Sequence, residues 1–127
     1  MSPERHRELA TRIHASLPRL TRDDWEMRIE AAMLAGTHWV NLVLHQQGVS
    51  AASEDMIHTN MTIVNYLRKY SLAQPRMVAA LAEIEELRPL YVRGDLEGGP
   101  EAGERALQLL DELAALAALA TAALEKP

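Results

Sequence analysis

Apolar residues recur every three or four positions along almost the whole chain, and nowhere do they alternate as they would in a half-buried strand. Leu9, Ile13 and Leu17 mark one face of a first helix, opened by Ser2-Pro3 and stopped by Pro18. Proline suits the first turn because its missing N–H has no helical partner there. Thr21 with Asp24 three residues later reads as a capping box. The helix it opens is long and should end at Gly48, since glycine takes the left-handed conformation past a helix end most easily. Trp25, Ile29, Met33, Gly36, Val40 and Val43 form one stripe, and Leu34, Trp39 and Leu42 add others. A helix that is apolar on several sides is packed by more than one neighbour.

After the small polar loop VSAAS, the residues Met56, Asn60, Ile63 and Leu67, with Ile57, Met61 and Val64, predict a third helix. His58 opens it, on a polar side shared with Thr62, Asn65 and Lys69. Ser71 and Gln74 around Pro75 predict a break, and a fourth helix then runs to about Val92 along Met77, Leu81, Ile84 and Tyr91. The segment DLEGGP reads as a loop. Pro100 opens a fifth helix carrying Leu109, Leu113, Leu116 and Ala120. No internal repeat is present, and short connections favour antiparallel neighbours. The expectation is an all-α, up-down antiparallel helical bundle of about five helices. It forms a single domain over 1–127, with the helix 3–17 at its periphery.

Composition narrows the chemistry more than the fold. The chain has 127 residues, 48% of them hydrophobic, and no Phe, so its core must be built from Leu, Ala, Val, Ile and Met. Without cysteine there is no disulfide framework, no thiolate metal site and no cysteine nucleophile. The start, MSPERHRELATRI, lacks the apolar core of a signal peptide. The leucine- and alanine-rich uncharged run 113–124 falls short of the roughly 20 residues that cross a bilayer. A soluble cytoplasmic protein with no membrane partner is expected. A net charge of −5 argues against coating nucleic acid through bulk charge, although residues 1–22 carry five arginines against two glutamates.

Histidines are the first candidates for chemistry. His38 and His45 lie seven apart on one face of the second helix with Asn41 between them, and His58 follows Glu54 and Asp55 by one turn. A metal site needs three or four converging ligands, and the tight spacings of HExxH or ExxH are absent. Hydrogen-bonded histidines in the core or an interface are therefore expected, with no metal and no cofactor. No GxSxG elbow offers a serine nucleophile. Gly98-Gly99 reads as a turn, and Arg93-Gly94-Asp95 as a helix end.

Arg88 is less easily explained. It falls on the apolar stripe of the fourth helix, in the stretch LRPLYVRGD, where a leucine would be the plain choice. A buried guanidinium must be paired or must face a polar cavity or interface. Asp95, Asp55 or a carboxylate of a second subunit could serve. Pro89 removes the hydrogen bond to the carbonyl of Glu85 and should bend the helix there.

Residues 25–117 resemble the HEPN family, small helical domains found singly or beside minimal nucleotidyltransferases. AAMLAGTHWVNLVLHQQG is similar to the family's helix rich in small, aromatic and histidine residues. His58 opens the next helix, and EELRPLYVRGDLEGGPEAGERALQLLDEL resembles the segment with the family's Arg, four to six residues, then His. Arg88 takes the place of that arginine. In active members the pair meets across a dimer and cleaves RNA without metal: the histidine moves protons and the arginine stabilises phosphate charge. Here position 93 is Arg, which cannot exchange protons near neutral pH, and Pro89 follows Arg88.

The resemblance thus implies a non-catalytic HEPN-like homodimer that binds a nucleotide, RNA or a protein partner, with a nucleotidyltransferase-type protein among the candidates. Arg88, Arg93, Asp95, His38, Asn41, His45 and His58 are its candidate ligand or interface residues. Two alternatives stand beside it: a metal-independent ribonuclease of toxin type pairing Arg88 with a displaced histidine, and a structural helical adaptor. The leucines of the fifth helix, Leu109, Leu110, Leu113, Leu116 and Leu119, offer apolar surface that a dimer would cover.

Overall fold

The computed structural model describes residues 1–57 and 64–125, without the side chains of residues 64–66. Its helices are α1 (Pro3–Ser16), α2 (Trp25–Gln46), α3 (Val64–Ala73), α4 (Pro75–Leu87) and α5 (Gly99–Glu125). A 3-10 turn, Leu17–Arg19, follows α1, and a π-helical turn, Arg88–Val92, follows α4. Among the described residues there is no strand, so the bundle is all-α.

Most boundaries follow from local chemistry. The hydroxyl of Ser2 accepts from the backbone N–H of Arg5, capping α1 just before Pro3. Past α2, Gly48 sits at φ 72°. Its N–H donates to the carbonyl of His45, and the N–H of Val49 donates to that of Leu44. This is the paired C-terminal closure that a left-handed glycine permits. Thr21 and Asp24 depart from expectation. The Asp24 carboxylate accepts from both the N–H and the hydroxyl of Thr21, but the two close a turn, and α2 starts one residue beyond it at Trp25.

The third helix also differs. Met56 and Ile57 are not helical, and helix is described only from Val64. The cause is Asn41. Its side chain accepts from the Met56 N–H at 2.7 Å and donates to the Met56 carbonyl at 2.8 Å, so both backbone groups are satisfied without a helix. Met56 itself is buried.

The core lies between α2, α4 and α5: Ile29, Met33, Val40 and Leu44 pack with Met77, Leu81, Ile84, Leu110 and Leu113. Gly36 lets these three helices approach closely, since a Cβ there would stand 2.9 Å from a Leu113 methyl and 3.1 Å from a Leu81 methyl. At the start of α5, Gly99 and Gly103 receive the ring and Cβ of Trp25. At its far end, Thr121 meets Gln46. The two longest helices therefore run in the same direction, whereas α1 and α4 run against both, with His14 meeting Asp111 and Arg105 meeting Glu83.

By length and composition α5 could cross a bilayer, but Leu109, Leu110, Leu113 and Ala117 are core residues here. The surplus apolar surface expected on α5 shrinks to its last turns, where Leu119 and Leu124 are exposed. Another patch opens elsewhere: Leu34, expected to be packed, faces outward from α2.

Candidate functional site

Arg88 closes the joint between α4 and α2. Its Nε donates to Glu30 Oε1 at 2.7 Å, its Nη2 to Glu30 Oε2 at 3.3 Å, and its Nη1 to Glu85 Oε2 at 2.9 Å. The expected partners Asp95 and Asp55 are not used: Asp95 is exposed, and Asp55 belongs to another cluster. The hydrogen bond with Glu30 raises the pKa of the guanidinium well above its ordinary value, against the opposing pull of burial and with added support from Glu85. The helix widens into the π turn, and the Arg93 N–H reaches back five residues to the Arg88 carbonyl at 3.0 Å. Arg93 is exposed.

Beside this clasp, α1, α2 and the stretch before residue 58 enclose an open groove of about 400 Å³. Ile13, Ala31 and Met33 line it, the Glu30–Arg88 pair sits at its edge, and Met27, Leu34 and Ile57 form lips that are half exposed or more.

One face of α2 also carries a histidine cluster that the expected pairing of His38 with His45 only partly anticipates. His45 and His6 aim their Nε2 atoms at one oxygen, Asp55 Oδ1, each at 2.8 Å. The other nitrogen of each ring is held as well. His6 Nδ1 lies 2.9 Å from His38 Nδ1, and His45 Nδ1 lies 2.9 Å from the Ser50 hydroxyl and 3.2 Å from the Ser50 carbonyl. The amino group of Met1 approaches both Asp55 oxygens at 3.3 Å. The side chains of His6 and His45 are 2% exposed, and that of Asp55 is 29% exposed.

Burial would raise the Asp55 carboxyl, but hydrogen bonds from His45 and His6 outweigh it and hold its pKa at about 2. Desolvation lowers the pKa of His6 despite its bond to Asp55, and desolvation with the neighbouring His6 lowers that of His38. With Asp55 ionised, one set of hydrogen bonds fits these distances: the Nε2–H groups of His6 and His45 donate to Asp55, His38 Nδ1–H donates to His6 Nδ1, and the Ser50 hydroxyl donates to His45 Nδ1. Ser50, His45 and Asp55 thus lie in line, and Ser50 is buried.

Of the residues singled out in the sequence, His38 and His45 enter this cluster, Asn41 pins Met56, Arg88 is clasped, and Arg93 and Asp95 are exposed. His58 lies outside the described residues. His6 went unnoticed, although it continues the stripe of Ala10, Ile13 and Leu17 on α1 and so carried the same signal as Arg88, a polar residue on an apolar face. No protein-family model matches the chain, and no curated protein and no solved structure matches it.

Proposed function

We propose that this chain is a non-catalytic, HEPN-like helical module that acts by binding, and that its first partner is a second copy of itself docked at the α1–α2 groove. The observation that carries the reading is the clasp on Arg88. A guanidinium already engaged by two carboxylates has little left to offer a phosphate, so its role is to fix α4 against α2. Two of the three candidate histidines of a displaced-histidine ribonuclease support the same reading, because His38 and His45 turn to His6 and Asp55; the third, His58, lies outside the described residues. Exposed arginines such as Arg93 on the turn after α4 and Arg7 and Arg12 on α1 are available to RNA, a nucleotide or an acidic protein surface.

The lips of the groove, Met27, Leu34 and Ile57, favour a like partner. They set apolar surface around a salt bridge that is already satisfied, which suits a self-matching contact more than a charged ligand. Light scattering across micromolar concentrations should give twice the monomer mass of 14.1 kDa, and Leu34→Glu should return the protein to monomer. A monomer at every concentration, or a dimer indifferent to Leu34→Glu, would reject this contact.

A further inference from the structure

We infer that His6, His45 and Asp55 form a binding site for one divalent transition-metal ion of the zinc class. This does not rest on the dimer reading. Three donors from separate parts of the fold converge, with their ligating atoms all within 4.8 Å of one another. Each of the two imidazoles presents the same nitrogen, Nε2, to a common point. Each also has its Nδ1 held by a partner, His38 for His6 and Ser50 for His45. Histidines that ligate metals are oriented in this way, with the second ring nitrogen fixed so that the first points at the ion.

The donor set is two imidazoles and one carboxylate, which suits zinc, cobalt(II) or nickel(II) and is poor for calcium or magnesium. Bonds of about 2.0–2.1 Å in a tetrahedron place ligand atoms roughly 3.3 Å apart. The Nε2–Oδ1 separations of 2.8 Å need to open by only about half an ångström, and the partly exposed Asp55 can supply this by rotating. Three protein ligands leave a fourth position for water, which the Met1 amino group, now 3.3 Å from both Asp55 oxygens, would have to clear.

Binding also requires a specific change in the network. Once Nε2 bonds the ion, each ring carries its proton on Nδ1. His45 then donates to the Ser50 carbonyl and hydroxyl oxygens, and His6 donates to His38 Nδ1, whose own proton moves to Nε2. Protons are conserved: each of the three rings exchanges one tautomer for the other. His38 is therefore a positioning residue, and the ion would tie α1, α2 and the loop bearing Ile57 together.

The test uses tag-free, full-length protein treated with chelator and then titrated with ZnCl2 by calorimetry and CoCl2 by visible absorption. The expected result is one equivalent bound, with the His6 and His45 side-chain nitrogen NMR signals changing from the Nε2–H to the Nδ1–H tautomer. His38→Gln should weaken binding about 10- to 100-fold, and Asp55→Asn should weaken it further. His14→Gln, at a histidine paired with Asp111 near the other end of α1, should leave it unchanged. Equal affinity in wild type and Asp55→Asn, or tautomers unmoved by zinc, would overturn the proposal. If Asp55→Asn loses its helical circular dichroism, the wild-type tautomer reading alone decides.

Discussion

Arg88 Nε donates to Glu30 Oε1 at 2.7 Å, across 58 positions of sequence, and this contact holds the end of α4 to the outer face of α2. The side chains are 19% and 38% exposed, so water reaches the carboxylate when the arginine is removed. Arg88→Ala should therefore cost about 1–3 kcal/mol, the range for a hydrogen bond to a charged group, and less than the loss of a wholly buried pair. Urea unfolding measures it. A loss above about 4 kcal/mol would mean that Glu30 becomes buried and unpaired.

Acid should weaken the metal-free protein in two separate windows. His6 and His38 have folded pKa values below 6.5, so the unfolded chain takes up protons first, and stability falls as pH drops below about 6.5. Asp55 moves from 3.8 to about 2, so its contribution is present above pH 3.8 and is lost as pH falls towards 2. That second loss is on the order of 2 kcal/mol. Unfolding free energies at pH 7.5, 5.5, 4 and 2.5 trace both windows, and Asp55→Asn should flatten the lower one.

Two glycines should respond differently to alanine. At Gly36 the new methyl meets the tips of Leu113 and Leu81, which can swing aside, and alanine gains helix propensity in mid-helix. Gly36→Ala should stay within about 1 kcal/mol of wild type. At Gly99 a Cβ would collide with the Trp25 ring, which is stiff and wedged at the start of α5. Gly99→Ala should cost about 1–3 kcal/mol and change the tryptophan fluorescence. Thermal melts that rank the two variants the other way would contradict this packing.

How much of this was readable in the sequence depends on how far apart the cooperating residues lie. Helix positions were legible because their signals are local: Ser2-Pro3 capped α1, Gly48 closed α2 and Pro75 opened α4. Arg88 was recognisable as paired, since a cation on an apolar stripe needs a partner, but Glu30 was hidden by its distance in sequence. The unwound Met56–Ile57 stretch was misread as helix because Asn41, 15 residues earlier, satisfies the Met56 backbone. The histidine cluster was invisible to motif spacing, since His6 lies 49 positions from Asp55 and 32 from His38. The surplus apolar face went to α5 in the sequence reading because α5 holds the most leucine. Packing covers Leu109, Leu110 and Leu113, and leaves Leu119 on α5 and Leu34 on α2 outside.

As proposed, this helical module binds and does not cut. The direct measurement is incubation of the wild type, Arg93→His and the His38→Ala/His45→Ala double variant with labelled single-stranded RNA in EDTA, with products separated on a denaturing gel. The wild type should leave the RNA intact, because Arg88 is clasped by Glu30 and Glu85 and position 93 cannot move a proton. Cleavage by the wild type that disappears in the double variant would show a histidine acting as the proton carrier, and would contradict the account.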